Sequence, residues 1–348
     1  MFDKKDIGHY AFAFSLIMLA SYVGNSFKQN FIAENNDEYD LIRKYLLNDS
    51  PLYGFNKPKI WIHSKYEINA RNWIEGQSRN TTNLNQPYLH LTIQSIIDHC
   101  GNDFHVCLID DNTFSNLIPG WDVDVSTMAN PMKTHFRELG LLKLIYLYGG
   151  MVVPNSFVCS KNLKGLYNDG TADSRPFVCE AINRTMNVAE QKQKMLFVPD
   201  MYFMGALKND EVIRDLIQYV SEKNNSTHFS SERVFVGNSN QFLIKALNDQ
   251  RFNLIGGEKI GVKTDGRKQI LLEDLMAEKS LSLVPDCYGV YIPEDEVLKR
   301  TKYQWFAVMS KAELLNSNIA IMKYVKASMV DARDEYYKPS IIPSVVSL

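Results

Sequence analysis

The sequence predicts an α/β fold in which a mixed sheet is flanked by helices. Short β-rich segments alternate along the chain with longer segments of helical pattern, and this alternation is typical of layered α/β domains. Within the helical segments, apolar residues recur on one stripe, as they do on helices that pack against a sheet. The chain has 348 residues, of which 45% are hydrophobic. That length and composition allow one large domain, or two small ones, with a sizeable core.

Charge and cysteine content exclude two kinds of site. The formal net charge is −2 at pH 7, so no excess of basic residues favours a nucleic-acid partner. The five cysteines include no CxxC pair, so a structural zinc site is not expected. Cys100 and Cys107 could form a disulfide in an oxidising compartment. We therefore expect neither nucleic acid nor zinc as a partner of this chain.

The N-terminal segment 7–24, IGHYAFAFSLIMLASYVG, is apolar enough to enter a membrane. A run of about 18 such residues is at the lower limit for a spanning helix. Lys4 and Lys5 precede it, and by the positive-inside rule they favour a cytoplasmic N-terminus. We therefore expect a single-pass type II membrane protein, with the rest of the chain in a Golgi- or ER-like lumen or outside the cell, or associated with a virion or other particle.

Two alternatives to this anchor remain open. Small residues at Ala20-Ser21 would suit cleavage of a signal peptide, and the same run could be a helix buried against the domain. Five Asn-x-Ser/Thr sequons suit a glycosylated lumenal face. The predicted organisation is an anchor over residues 1–27, a polar stem over 28–56, a folded domain over 57–330 and an irregular tail over 331–348.

The first half of the domain carries the clearest elements. Lys59–His63 (KIWIH) is a short β-rich run after Pro58 and predicts a strand. Residues 87–101 predict a helix with one apolar stripe, and residues 104–109 predict a strand that ends at an acidic pair. Further strands are predicted over 151–153, 176–181, 196–198, 282–284 and 289–292, and further helices over 134–148, 210–222, 239–247 and 311–327.

Polar residues follow three of the predicted strands. His63 ends the first strand, Asp110-Asp111 ends the next, and Pro154-Asn155-Ser156 follows the strand after the paired glycines. In open α/β sheets, ligands bind beyond the carboxyl ends of the strands. We therefore expect these three points to share one cleft.

The order of these segments resembles a known family. KIWIH, a helix, a strand ending in IDD, and a buried helix with YLYGGMVV are similar to the glycosyltransferases that carry the sugar-binding region containing the DXD motif, among them mannosyltransferases, toxin-like glycosyltransferases and capsular-polysaccharide transferases. The resemblance covers about residues 57–293, with its core at 134–153. Downstream, VGNSNQFLIKAL resembles a later family segment and retains Gly237, with Asn238 in place of proline.

This resemblance implies a GT-A-like, Rossmann-like fold and a hexosyltransferase-like activity. Such a protein transfers a sugar from a UDP- or GDP-sugar donor to a glycan or protein acceptor. In metal-dependent members the DXD carboxylates hold Mn²⁺ or Mg²⁺ against the donor diphosphate, which is Lewis-acid chemistry. Here Pro154, Asn155 and Ser156 replace those acids and offer only neutral oxygens, which are weaker partners for a divalent ion.

Three explanations of this replacement are open. The diphosphate could be held without metal by Arg71, Arg137 or Lys143, or a metal could be held by the acidic pair at 110–111 with help from Asp200. Alternatively, catalysis is lost and the chain is a binding module or a structural scaffold in a membrane- or particle-associated assembly. The candidate catalytic residues are Asp110, Asp111 and Asp200, the first two also being candidate metal ligands, and the candidate donor-binding residues are Trp61, His63, Arg71, Arg137, Lys143, Asn155, Ser156 and Gly237.

Each candidate also has a purely structural interpretation. Asp110 and Asp111 are suited to cap the turn that follows them. Trp61 is suited to the core, with stacking on the donor base as the alternative. Arg137 and Lys143 lie on an almost wholly apolar helix, where a charge must find a partner or reach solvent, so structural ion pairs are an alternative to donor binding.

Overall fold

The computed structural model of this protein describes residues 57–64, 86–129, 132–180, 199–225 and 232–336. All of them belong to one compact unit, Pro51–Leu348. The expected anchor and stem at 1–56 lie outside the described residues, as do Arg71 and the strand expected at 196–198. Among the helices that are described, none combines the length and the apolar character that crossing a membrane requires.

The described elements alternate between strands and helices. The strands are β1 (Lys59–His63), β2 (His105–Ile109), β3 (Gly150–Val152), β4 (Phe157–Cys159), β5 (Phe177–Glu180), β6 (Pro199–Ala206), β7 (Asn253–Ile255) and β8 (Gly289–Tyr291). The helices are α1 (Tyr88–Cys100), α2 (Thr113–Leu117), α3 (Met132–Tyr148), α4 (Lys164–Gly170), α5 (Glu211–Asn225), α6 (Glu232–Asn248), α7 (Leu272–Leu275), α8 (Glu294–Lys299), α9 (Gln304–Val308), α10 (Lys311–Asn316) and α11 (Ala320–Tyr336).

Six strands form the main sheet in the order β2-β1-β3-β6-β5-β7, and β4 pairs with β8 in a small second sheet. β1 is parallel to β2 and β3, β5 is parallel to β7, and β6 is antiparallel to both of its neighbours. The last residues of the five parallel strands and the first residues of β6 therefore lie along one side of the sheet, which we call the carboxyl edge. The predicted mixed α/β sheet flanked by helices is confirmed.

Two apolar clusters hold the layers together. The first joins α3, α5 and α6 to β5 and β6, and Leu144, Leu216 and Leu243 are fully buried in it. The second joins α1, α9 and α11 to β4 and β8, with Val158 and Phe306 at its centre. α3 is apolar on nearly all sides, and α2, α5 and the sheet cover it. Its predicted deep burial is confirmed.

The paired glycines set the spacing of the central strands. Gly149 and Gly150 have φ angles of 71° and 96°, which side chains rarely adopt. A Cβ atom on Gly150 would lie 2.1 Å from the carbonyl oxygen of Lys59, so β3 can approach β1 only with glycine there. The Gly149 N–H donates to the Ile145 carbonyl at 2.7 Å and ends α3, as expected of a helix stop.

Two expectations about elements are wrong. Residues 282–284 are not a strand: the Ser282 carbonyl accepts from the Asp265 N–H of a loop at 2.9 Å, and the Val284 carbonyl accepts from the Cys287 N–H of the following turn at 3.1 Å. The helix expected at 311–327 is two helices, since Ser310 caps α10 and the chain is extended at Ser317 before α11 begins. α11 continues to Tyr336, so the irregular tail does not begin at 331.

Three further details differ from the sequence-based expectations. β4 and β7 have three residues each, too few to show a period, and were not expected. Gly237 lies inside α6 and not at a helix start, because α6 begins at Glu232. The cysteines are free thiols, and Cys100 Sγ lies 3.9 Å from Cys159 Sγ, where α1 packs on β4.

We expect Gly150→Ala to destabilise the fold by about 4 kcal/mol or more, because it adds both an unfavourable φ angle and a backbone clash. Urea unfolding measures this loss. Gly120→Ala is the matched control, since Gly120 also has a positive φ of 71° but a Cβ atom there meets nothing within 4 Å. It should cost only about 1–2 kcal/mol. Equal losses in the two variants would contradict the close approach of β3 to β1.

Candidate functional site at the carboxyl edge

Three charged or polar side chains meet where β1 and β2 end. Asp111 follows β2, His63 is the last residue of β1, and Arg137 lies in the second turn of α3. Arg137 donates from Nε to Asp111 Oδ1 at 2.8 Å and from Nη2 to Asp111 Oδ2 at 2.7 Å. His63 Nε2 lies 3.0 Å from Asp111 Oδ1. We call these three residues the Asp111 cluster.

The Asp111 cluster is almost completely removed from solvent. The side chains of His63 and Arg137 are 4% and 3% exposed, and that of Asp111 is 15% exposed. Burial alone raises the pKa of the Asp111 carboxyl, but the hydrogen bonds from Arg137 and His63 outweigh burial and hold that pKa well below its usual range. Asp111 is therefore ionised, and its charge neutralises the guanidinium of Arg137.

Phe114 fixes the orientation of the histidine. Its ring stacks on the His63 imidazole with a centroid distance of 5.6 Å and an angle of 7° between the planes. Behind Phe114, α3 comes so close that a Cβ atom on Gly140 would lie 2.7 Å from the Phe114 ring. Gly140 thus allows α2 and α3 to press Phe114 against His63. In the sequence, the signal for this contact was a glycine inside an apolar helix.

Asp110, beside the cluster, closes the turn into α2. Its Oδ1 accepts hydrogen bonds from the Thr113 N–H at 2.9 Å and from the Thr113 hydroxyl at 2.6 Å. The Asp110 N–H also lies 3.1 Å from Thr113 Oγ1. These contacts correspond to the capping interpretation of Asp110, in which a short acidic side chain stabilises the start of a helix.

The segment Pro154-Asn155-Ser156 connects β3 of the main sheet to β4 of the second sheet. The Thr92 hydroxyl of α1 donates to the Asn155 carbonyl at 2.5 Å. The Ser156 hydroxyl donates to the Ile292 carbonyl at 2.7 Å, and the Ile292 N–H donates back to the Ser156 carbonyl at 3.1 Å. Asn155 is 5% exposed and Ser156 is fully buried. The Ser156 hydroxyl therefore already donates its hydrogen bond within the fold.

The described residues do not fit the divalent-metal site that the resemblance implies. Within the described ranges, no group of three or more His, Cys, Asp or Glu residues is placed to hold a metal ion. Both oxygens of Asp111 accept from Arg137, and Ser156 is bonded to Ile292. Since Mn²⁺ and Mg²⁺ require several carboxylate or other oxygen ligands at once, this part of the edge offers too few.

The other candidate residues have separate surroundings. Trp61 is 1% exposed and donates from Nε1 to the Gly149 carbonyl at 3.0 Å, as a core residue does. The Lys143 ammonium lies 5.3 Å from the centroid of the Trp121 ring, a cation–π contact. Asp200 is the second residue of β6, and its Oδ1 accepts from the Tyr202 N–H at 2.9 Å. Of the candidate residues, the structure brings His63, Asp111 and Arg137 into direct contact.

The sequence interpretation missed a second ion pair at the same edge. Glu180 is the last residue of β5, and its Oε1 contacts the ammonium of Lys263. Its Oε2 accepts from the Gly257 N–H at 2.9 Å, in the turn after β7. We call Glu180 and Lys263 the Glu180 pair. An acid at the end of a predicted strand was the available signal, but Lys263 lies in a segment without a clear pattern.

The ion pair of Asp111 and Arg137 should behave as a coupled unit. Asp111→Leu leaves a buried guanidinium without its counter-charge and should cost about 3–5 kcal/mol, with a similar cost for Arg137→Met. The double variant Asp111→Leu, Arg137→Met should cost far less than the sum. Urea unfolding of all four proteins gives the coupling energy, and additive losses would show that the pair does not act as a unit.

The Asp111 cluster also predicts a loss of stability in acid. Because the pKa of Asp111 is lower in the folded chain than its usual value of 3.8, the stabilisation is complete above that value and is lost as the pH falls below it. From about pH 5 to about pH 3, the free energy of unfolding should fall more steeply for the wild type than for Asp111→Leu, Arg137→Met. Parallel curves for the two proteins would argue against the depressed pKa.

Comparison with known proteins does not show a family for this chain. No protein-family model matches the chain, and no curated protein matches it either. Among solved structures, the chain is similar to one described as "PaToxG Glycosyltransferase", with 13% sequence identity and a TM-score of 0.31. The match covers 63% of this chain and 84% of that chain. Because this TM-score is low, we draw no functional argument from the similarity.

Proposed function

We propose that this chain is a glycosyltransferase-like protein of the GT-A type that binds a nucleotide sugar at the carboxyl edge without a divalent metal after β3. The observation that carries this proposal is the Asp111 cluster, a buried ion pair with a histidine at the ends of two parallel strands. Ligands of open α/β sheets bind at such strand ends. Strongly shifted pKa values are concentrated at functional sites, and Asp111 has one.

The Asp111 carboxylate can accept one more hydrogen bond. An ionised carboxylate offers about four acceptor positions, and three are used by Arg137 and His63. Its side chain keeps 15% of its surface exposed. An acid at a strand end commonly accepts from a ribose hydroxyl of a bound nucleotide. In this proposal Asp111 holds the ribose, while Arg137 and His63 keep the carboxylate ionised and oriented.

The chemistry of the segment after β3 supports the proposed metal independence. Pro154, Asn155 and Ser156 supply no carboxylate, and Ser156 is bonded within the fold. The negative charge of the diphosphate must then be met by protein cations and N–H groups. In the transfer, the bond between the anomeric carbon and the diphosphate oxygen breaks and its electrons leave with the diphosphate. The acceptor hydroxyl oxygen forms the new bond to the anomeric carbon, and its proton passes to solvent.

A second candidate is a catalytically inactive scaffold with the same fold. It is favoured by the observation that Asp110 closes the turn into α2 and Ser156 bonds Ile292 beside β8, as structural residues do. In this case the sheet would contribute shape to a membrane- or particle-associated assembly. With the type II anchor proposed for residues 7–24, either candidate would act on the lumenal or outer side of a membrane.

Thermal unfolding with UDP, GDP, a UDP-sugar and a GDP-sugar tests donor binding. At a nucleotide concentration about 100 times Kd, the bound state should gain about 2.7 kcal/mol and unfold several degrees higher. The rise should be the same in EDTA as in Mn²⁺, and Asp111→Leu, Arg137→Met should lose it.

The possible outcomes separate the two candidates. Nucleotide release in the presence of a glycan acceptor supports the transferase. Donor binding without turnover supports a catalytically inactive protein that still binds the nucleotide sugar. No response to any nucleotide would overturn donor binding and leave the scaffold. A shift that requires Mn²⁺ would overturn metal independence.

A further inference from the structure

The Glu180 pair is the second charged site on the carboxyl edge. In the strand order, β5 lies three strands from β1, so Glu180 and His63 end strands about 14 Å apart. An extended nucleoside diphosphate, together with a lysine side chain, can bridge such a separation. The pair is therefore within reach of a nucleotide whose ribose is held at the Asp111 cluster.

The surroundings of the Glu180 pair are closely fitted. The side chains of Glu180 and Lys263 are 6% and 15% exposed. A Cβ atom on Gly257 would lie 3.1 Å from Glu180 Oε2 and 3.3 Å from Lys263 Cγ. Because residue 257 is glycine, the turn after β7 can pack directly against the pair. The Gly257 N–H donates a hydrogen bond to Oε2 of Glu180, the second carboxylate oxygen.

Arg137 and Lys263 differ in what they can offer an anion. Both nitrogens by which Arg137 contacts Asp111 are engaged, and its side chain is 3% exposed. Moving that guanidinium away would leave buried charges unpaired. The ammonium of Lys263 carries three donor hydrogens on a flexible stem, and its side chain is 15% exposed. It can add an anionic partner while it stays beside Glu180.

We propose that Lys263 contacts the diphosphate of the bound nucleotide sugar, and that Glu180 is the positioning residue that holds the ammonium at the carboxyl edge. This inference rests on the proposed function, and it names the cation that takes the place of a divalent metal. Gly257 holds Glu180 in turn, so the carboxylate keeps a hydrogen bond whether or not the ammonium shifts towards a phosphate oxygen.

Calorimetric titration in EDTA tests this inference, with a nucleoside diphosphate and its parent nucleoside as probes. Lys263→Met should weaken binding of UDP or GDP, whichever the wild type prefers, by roughly 10- to 100-fold. Binding of uridine or guanosine should stay unchanged, because a nucleoside has no phosphate. Lys263→Arg, which keeps the positive charge, should retain most of the affinity for the diphosphate.

Two further variants separate a binding role from a folding role. The double variant Glu180→Gln, Lys263→Met removes both charges together, keeps an acceptor for the Gly257 N–H, and should fold but still bind the diphosphate weakly. Lys164→Met is the matched control, since Lys164 Nζ lies 2.6 Å from Asp103 Oδ1 near the start of β2, at the opposite edge. It should bind both probes as the wild type does.

The outcomes distinguish failure of this inference from failure of the proposed function. If the wild type binds no nucleotide, the proposed function fails. If the wild type binds the diphosphate and both Lys263→Met and the double variant bind it as tightly as the wild type does, only the role of Lys263 fails. Equal losses for the diphosphate and the nucleoside would show that Lys263 acts on the fold, and this result would also overturn the inference.

Discussion

The close approach of β3 to β1 at Gly150 is the constraint on which the central sheet depends. With a Cβ atom there only 2.1 Å from the Lys59 carbonyl oxygen, any other residue would push the two strands apart. The same turn ends α3 and presents the Gly149 carbonyl to the Trp61 indole. The segment after β3 therefore reaches the carboxyl edge beside the end of β1.

Among the described residues, two pairs of opposite charge lie at that edge. Asp111 is neutralised by Arg137, and Glu180 is neutralised by Lys263. Buried pairs of this kind add little stability compared with apolar residues of the same size, so their position at strand ends needs another explanation. Ligand binding gives one, because a preorganised charge pair can meet an anion and a hydroxyl group without reorganising the surrounding structure.

The two ion pairs have different roles in the proposed site. Arg137 donates to both Asp111 oxygens and keeps that carboxylate fixed, which suits recognition of a neutral hydroxyl group. Lys263 is more exposed and more flexible, which suits an anion that arrives and leaves. In the proposed site, Lys263 would thus present positive charge to a diphosphate although Pro154, Asn155 and Ser156 supply no carboxylate for a metal.

The sequence by itself determined the α/β class, the strand Lys59–His63 and the buried helix with its glycine stop. These features depend on local periodicity and on φ angles that glycine adopts freely, and both are visible in a few consecutive residues. Only the tertiary structure decided that Arg137 bonds Asp111, that Ser156 bonds Ile292 beside the pair of β4 and β8, and that Lys263 meets Glu180 from 83 residues away. Such contacts depend on which strands become neighbours, and three-residue strands such as β4 and β7 carry too short a pattern to predict it.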